Sequence, residues 1–336
     1  MAAEMAEQPA VLSGLLDRRE EIRARVRALV STAPVGVILI ARGSSDNAAV
    51  YGRYLLEPAV RRPVALAAPS LSTLYGARVD CRGWLAIALS QSGRTPEIVD
   101  VFARMRAAGA RGIAITNDGG SPLAAEADAV VELGAGEEKA VPATKTFLAQ
   151  LAAFALVAEA LGPVGWSDHA LSALPDQVRV VLADPEAANV ATAAIGDADG
   201  LVAVGRGYLY SVALEAALKL KETALLLAEG LSSADFRHGP IAITAERGFP
   251  VLSLSAGGAD AADIEELDRM LQGHAAPLLR MAPDPSCELP IPTGIPEALA
   301  PLVAVVRGQQ LAAAVALSRG LDPDAPPGLS KVTETR

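Results

Sequence analysis

The feature that most constrains the fold of this chain is a series of short apolar segments, each closed by a polar turn and followed by a helical pattern. The segment VGVILIA ends at Ala41, is closed by RGSSDN and precedes AAVYGRYLLEPAV. Continuous apolar runs are typical of strands buried on both faces, and their alternation with helices indicates a parallel α/β sheet with right-handed crossovers. Further predicted strands in this half cover residues 64–69, 84–90, 112–117 and 129–134.

The same pattern starts again in the second half of the chain. A strand at 201–207, a helix and a strand at 250–258 repeat the first arrangement, and the turns align as ARGSSDNA with VGRGYLYS and ALSQSGRT with SLSAGGAD. This internal repeat predicts two tandem doubly wound parallel-sheet domains with flavodoxin-like or Rossmann-like layers. The expected boundaries are an N-terminal helix at 1–30, a first domain at 31–165, a linker helix region at 166–190, a second domain at 191–320 and a tail at 321–336.

Charge and cysteine content argue against several classes of function. The formal net charge is -10 and no dense lysine or arginine run occurs, so we expect neither a nucleic-acid partner nor a membrane surface. Cys81 and Cys287 have no CxxC partner, which argues against a disulfide framework or a zinc site. Because Glu4 and Glu7 stand where a signal peptide would be basic, we expect a cytoplasmic protein.

A hydroxyl-rich loop after the strand at 84–90 is the candidate phosphate site. Parallel sheets bind ligands beyond the carboxyl ends of their strands, and the N-terminus of a helix attracts phosphate. The loop enters a helix that opens with Pro96. The candidate binding side chains are Ser90, Gln91, Ser92 and Thr95, with Ser44 and Ser45 from the turn after the first strand.

Each of these residues also has a simpler interpretation. Taken alone, Thr95 is equally consistent with an N-cap, and the serines with ordinary turn residues. Two hydroxyl-rich turns after two strands of one sheet favour a ligand. A dinucleotide is not expected, because GRGSSD and GRGYLY lack the third glycine of GxGxxG.

A charged helix face is the candidate acid–base site. Glu215, Lys219 and Glu222 follow at i, i+4 and i+7 in SVALEAALKLKET, which places them on one face. The alternative is a solvated stripe with an ordinary ion pair, which for a lone helix would be preferred. In the following FRHGP segment, His238 is suited to moving protons at a sugar oxygen.

Together, ARGSSDNAAVYGRYLLE, LSQSGRTPEI, GEEKAVPATKTF, ALEAALKLKE, FRHGP and PPGLSKVTET closely resemble the SIS (sugar isomerase) domain phosphosugar family over nearly the whole chain. The motifs are most similar to those of stand-alone SIS-type glucosamine-6-phosphate deaminases and of the isomerase half of glucosamine-6-phosphate synthase. The resemblance implies a homodimer with shared active sites, no cofactor or metal, and a C-terminal tail that acts as a lid.

The resemblance also implies roles for individual residues. Ser45, Ser90, Gln91, Ser92 and Thr95 would hold the phosphate and sugar, with backbone from Val141 to Ala143. Ala143 stands where synthase-type members have serine. Glu222 would be the base that shuttles the C2 proton, His238 the ring-opening group and Lys331 the lysine of the lid, with Glu215 and Lys219 as their supporting pair.

These residues lead to a predicted reaction, the hydrolytic deamination of glucosamine 6-phosphate to fructose 6-phosphate and ammonia. Three alternatives stay open: plain aldose–ketose isomerisation of a phosphosugar, an isomerase homologue of the synthase without its glutaminase, and a non-catalytic sugar-phosphate sensor. We expect no glutaminase domain, since the first strand starts near residue 35. A sensor is less favoured, because no DNA-binding segment accompanies the candidate catalytic residues.

Overall fold

The computed structural model describes residues 1–274 and 276–331, and these residues form two compact units. The first-sheet unit contains Ala10–Glu138, Lys145–Gly165 and a C-terminal segment that starts at Ser330. The second-sheet unit contains Met1–Pro9, Lys139–Thr144 and Trp166–Leu329. The predicted boundaries differ from these units in the first nine residues and in residues 139–144, which pack with the second sheet.

The first-sheet unit is built around a parallel sheet whose strand order is 2-1-3-4-5. Strand β3 is buried at every position, as its run of leucine, alanine and isoleucine predicts. All five strands predicted in this half of the chain are confirmed. They are β1 (Val37–Ile40), β2 (Val64–Leu66), β3 (Leu85–Leu89), β4 (Arg111–Thr116) and β5 (Ala129–Glu132).

The helices of the first half cover the sheet and supply its core. The N-terminal helix expected at 1–30 is divided into two helices at Arg18, whose guanidinium donates to the carbonyl of Glu132 at 2.8 Å. The last helix of the set is buried along almost its whole length. The helices are α1 (Ala2–Asp17), α2 (Arg19–Leu29), α3 (Ser44–Val60), α4 (Pro69–Thr73), α5 (Pro96–Ala107), α6 (Pro122–Ala125) and α7 (Lys145–Leu161).

The second-sheet unit contains another parallel five-stranded sheet, in the order β7-β6-β8-β9-β10. Numbered within its own half, this order is again 2-1-3-4-5, so both sheets have the topology of flavodoxin-like folds. The strands predicted at 201–207 and 250–258 are confirmed. The strands are β6 (Gly200–Gly205), β7 (Leu227–Ser232), β8 (Val251–Leu254), β9 (Leu278–Ala282) and β10 (Leu289–Pro290).

Helices of the second half pack around this sheet, and the tail residues 321–331 contain neither helix nor strand. The long helix α15 is apolar enough to cross a membrane by length and composition, but 78% of it is buried inside the protein, as in a core helix. Cys81 and Cys287 are both buried and free. The helices are α8 (Asp168–Ser172), α9 (Leu174–Leu182), α10 (Glu186–Ile195), α11 (Tyr210–Ala224), α12 (Ser233–Arg237), α13 (Ala242–Arg247), α14 (Ala261–Leu271) and α15 (Pro301–Ser318), with 3-10 turns at Gly207–Leu209 and Glu297–Leu299.

Candidate active site

The hydroxyl groups of loop 90–95 converge directly after β3. Ser90 is buried, and its Oγ accepts a hydrogen bond from the N–H of Gly93 at 3.1 Å. The same Oγ lies 3.3 Å from Oγ1 of Thr95. Ser92 accepts from the N–H of Arg94 at 3.2 Å, and Gln91 and Ser92 are half-buried. The loop is therefore a concave turn lined by the predicted hydroxyls.

Gly93 is required for this turn. Its φ of +63° lies in the left-handed region, and a Cβ at this position would lie 2.1 Å from Oγ of Ser121. The Gly93 carbonyl accepts from the N–H of Leu123 at 3.0 Å, which fixes the loop against the start of α6. Any other residue would have to push the loop away from its neighbour.

Thr95 stands at the N-cap position of α5, but its side chain makes no capping hydrogen bond. The threonine therefore occupies the N-cap position without capping the helix by its side chain, and its hydroxyl faces Ser90 instead. Pro96 occupies the first turn of α5, where a missing N–H costs nothing. Loop 90–95 lies at the N-terminus of α5, the positive end of the helix dipole, and this position favours an anion.

Ser44 and Ser45 lie in the turn between β1 and α3. Because β1 and β3 are neighbours at the point where the strand order reverses, the loops that follow them meet at the same edge of the sheet. Ser45 is buried and accepts from Nε2 of Gln150 at 2.8 Å, whereas Ser44 is half-buried at the start of α3. The first-sheet unit thus brings both predicted hydroxyl turns together.

In the second-sheet unit, the charged face of α11 is buried. Lys219 Nζ lies 3.4 Å from Oε1 of Glu215 and makes a closer ion pair with Glu222. Burial lowers the pKa of Lys219, but the charges of the two carboxylates outweigh it and hold the pKa above its ordinary value. A solvated stripe is therefore wrong for Glu215 and Lys219, whose side chains are each 1% exposed.

Glu222 differs from Glu215 in its access to solvent. The Glu222 side chain is 24% exposed, so it is the member of the cluster that an outside molecule can reach. Helix α11 is anchored at this level by Thr223, whose hydroxyl donates to the carbonyl of Ala312 in α15 at 3.2 Å. The arrangement presents one carboxylate from a rigid helix, with a buried lysine fixing its orientation.

His238 directly follows the short helix α12 and is exposed. The segment is held by Asp263, which accepts from Arg237 at 2.6 Å and from the hydroxyl of Ser233. Burial raises the pKa of Asp263, but the hydrogen bonds from Ser233 and Arg237 outweigh it and keep the pKa below its usual range. Asp263 therefore positions the loop that carries His238.

Lys331, the predicted lysine of the tail, pairs with Glu138 in the first-sheet unit at 2.9 Å. In the second-sheet unit, the Val141 N–H donates to the carbonyl of Asp324 at 3.0 Å, and Ala143 is half-buried. The Val141 N–H is thus already used, so a ligand contact from this turn would have to come from another backbone group.

Two residues with clear positioning roles, Glu138 and Asp263, were missed from the sequence. Glu138 ends a pair of glutamates seven residues before the mainly apolar helix α7, and such a charge before a buried helix was a usable signal. Asp263 lies on an amphipathic helix among other acids, where nothing distinguishes it. Within residues 1–274 and 276–331, no group of three histidine, cysteine or acidic side chains is placed to hold a metal ion.

Comparisons with known proteins show that the chain is similar to a protein family and to several solved structures. The SIS domain profile matches residues 34–160. The chain is similar to a crystal structure from Silicibacter pomeroyi DSS-3 assigned as a phosphosugar isomerase, with a TM-score of 0.84 and 34% identity over 96% of this chain and 99% of that one. It is also similar to the glucosamine-6-phosphate deaminase of Thermotoga maritima, with a TM-score of 0.74 and 25% identity over 97% of this chain and 99% of that one.

The chain is also similar to a longer curated relative. The chain is 30% identical to the glutamine–fructose-6-phosphate aminotransferase (isomerizing) of Methanothermobacter thermautotrophicus, over 98% of this chain and 56% of that protein. The chain spans about half the length of the curated relatives it matches.

Proposed function

Because the chain belongs to the SIS-domain family of phosphosugar isomerases, we propose that it converts glucosamine 6-phosphate and water to fructose 6-phosphate and ammonia. The observation that carries the proposal is the cluster on α11, in which buried Lys219 is held between Glu215 and the accessible Glu222. A carboxylate fixed in this way is suited to moving a proton between adjacent carbon atoms.

The phosphate of the substrate is bound by loop 90–95. The hydroxyls of Ser90, Ser92 and Thr95 donate to phosphate oxygens, and the first turn of α5 contributes its dipole. Gln91 and the turn residues Ser44 and Ser45 contact the sugar or its phosphate from the same sheet edge. The hydroxyl-lined turn and its glycine-dependent shape support this assignment.

The reaction is an internal redox change. His238 assists ring opening, which exposes an aldehyde at C1. Glu222 removes the proton from C2 and returns it to C1, so that C1 becomes an alcohol and the C2 amine becomes an imine. Water then adds to C2, its oxygen becomes the ketone oxygen, and the nitrogen leaves as ammonia. Since C1 is reduced as C2 is oxidised, no outside oxidant is needed.

Several broader features belong to the same proposal. The second sheet repeats the strand order of the first, which supports two tandem SIS domains. Lys331 belongs to a C-terminal lid, and Val141 and Ala143 line the substrate through their backbone. The enzyme is a cytoplasmic homodimer in which each active site uses residues of both subunits.

The test is to incubate the purified protein with glucosamine 6-phosphate and to measure ammonia and fructose 6-phosphate together. We expect equal amounts of both products, with no effect of added glutamine. Ketose formed from a neutral aldose phosphate, with no ammonia from any amino-sugar phosphate, would establish isomerisation instead. Binding of sugar phosphates without turnover would establish a sensor.

A further inference from the structure

The second sheet has its own version of the edge that carries loop 90–95. Its strand order reverses between β6 and β8, so the loops after these two strands meet as those after β1 and β3 do. The turns after β1 and β6 are alike in detail, since Gly43 has a φ of +59° and Gly207 a φ of +57°. This crevice in the second-sheet unit is the structural counterpart of the proposed phosphate site.

The backbone N–H groups of loop 90–95, after β3, and of loop 255–260, after β8, donate to different partners. In the first sheet, the N–H groups of Gly93 and Arg94 donate to serine hydroxyls of their own loop. In the second sheet, the aligned segment ends in Asp260 where the first has Thr95. The Asp260 carboxylate accepts from the N–H groups of Ala256 at 2.8 Å and of Gly258 at 3.1 Å.

A second carboxylate reaches this loop from a distant part of the chain. Oε2 of Glu297, on the 3-10 turn before α15, accepts from the N–H of Ala259 at 2.9 Å. A Cβ on Gly258 would lie 2.3 Å from the same oxygen, and a Cβ on Gly207 would lie 3.9 Å from Oε1. The Glu297 carboxylate therefore lies between the two loops, at the position where the strand order reverses.

The charge of Glu297 acts inside this crevice. Tyr208 follows Gly207 and stands where the first-sheet turn has Ser44. Its pKa is raised, mainly by burial and in addition by the negative charge of Glu297. Without Glu297, this crevice would present backbone donors and a helix N-terminus to an anion. The Glu297 carboxylate already occupies that position.

We infer that Glu297 is a built-in anion that fills the ligand crevice of the second sheet and limits the chain to one phosphate-binding site. The inference depends on the proposed function in one respect, namely that loop 90–95 of the first sheet binds the phosphate. Two effects exclude phosphate from the second crevice. Its N–H donors are bonded to carboxylates, which cannot donate to phosphate as the hydroxyls of the first loop can. A phosphate dianion would also meet the charges of Asp260 and Glu297. Removing the Glu297 side chain frees the N–H of Ala259 and removes one of the two carboxylate charges at the loop.

The experiment counts phosphate sites per chain by calorimetric titration with inorganic phosphate. The wild type is expected to bind one equivalent, and Glu297→Ala a second, weaker one. Glu266→Ala removes the same charge from the exposed face of α14 and serves as the matched control, with wild-type stoichiometry. Two equivalents bound by the wild type, or no additional phosphate bound by folded Glu297→Ala, would overturn the inference.

Thermal unfolding keeps the inference testable if Glu297→Ala is destabilised. Phosphate is expected to raise the Tm of this variant by several degrees more than that of the wild type, because it replaces the lost carboxylate. An equal rise in both proteins would contradict the inference. Failure of the proposed function is a separate outcome: it would appear as no ammonia release by the wild type, whatever the stoichiometry of the variant.

Discussion

The ammonium nitrogen of Lys331 lies 2.9 Å from a carboxylate oxygen of Glu138, a residue 193 positions earlier in the chain. The Glu138 side chain is fully buried, and it also accepts hydrogen bonds from the N–H of Thr146 at 3.1 Å and from the hydroxyl of Thr146 at 2.7 Å. A buried carboxylate needs such partners, because desolvation without them is costly. The pair holds the tail at the start of α7.

The first prediction concerns this tail. Removing residues 328–336 is expected to leave a folded protein with little activity, because Lys331 is proposed to act in a lid and residues 321–331 contain neither helix nor strand. Glu138→Gln is expected to give a milder loss by loosening Lys331. Thr146→Val, which removes the hydroxyl bonded to Glu138 but keeps the Thr146 N–H, is expected to keep most activity. Circular dichroism and ammonia release check these outcomes. Full activity of the truncated protein would show that the tail has no catalytic role.

The second prediction concerns the proposed base. Glu222→Gln is expected to lower turnover about a hundredfold or more while sugar phosphate still binds, since general base catalysis typically contributes that much. Steady-state kinetics and calorimetric binding measure the two effects separately. Glu20→Gln, on an exposed face of α2, is the control. A comparable loss in the control would mean that the base is misassigned.

The third prediction concerns the phosphate loop. Ser90→Ala is expected to weaken sugar-phosphate binding about ten- to a hundredfold, as for loss of a hydrogen bond to a charged group. Ser255 is a matched control because it follows β8 in the aligned loop and also accepts from a glycine N–H, that of Gly257 at 3.1 Å. Binding should be unchanged in Ser255→Ala. A larger loss of binding in Ser255→Ala than in Ser90→Ala would place phosphate recognition at the second sheet.

The fourth prediction concerns pH. Since the folded-state pKa of Asp263 is lowered, its ionised form contributes stability above the unfolded pKa of about 4, and this is lost as pH falls through the folded value. Asp263→Asn should therefore lower the free energy of unfolding by about 1 kcal/mol near pH 7, a small amount because solvent screens the partly exposed pair. The difference should disappear in strong acid. Denaturant unfolding at several pH values checks this, and a pH-independent difference would contradict it.

How well each strand could be predicted depended on its burial. Strands β1, β3, β4, β6 and β8 were predicted because they are apolar runs buried at all or nearly all positions. The edge strands β2 and β5 are partly exposed, but their sequences are still mainly apolar. Strand β7 was missed: it contains Glu229 and Gly230, and its side chains are largely half-buried or exposed. Strand β9 is buried only at alternate positions, and β10 is two residues long. Partly exposed and very short strands leave no continuous apolar signal.

The candidate site likewise contains some features that could be predicted from the sequence and others that could not. The hydroxyl loops could be predicted because their residues are close in sequence and follow strands whose ends meet. Burial of Lys219 could not, because it depends on what packs over α11 rather than on the spacing of its charges. The contacts of Glu138 with Lys331 and of Glu297 with Ala259 depend on tertiary folding alone, since nothing near either residue in sequence indicates its partner.

The discontinuity of the second-sheet unit has a consequence for folding during synthesis. Met1 and Met5 pack in one apolar cluster with Ala140 and Ala313. On the ribosome, the strands of the first sheet emerge long before Ala313 does, so Met1 and Met5 complete their final contacts only after that sheet has been made. Until Ala313 emerges, the cluster of Met1 and Met5 lacks one of its members, so the second-sheet unit is completed late in synthesis.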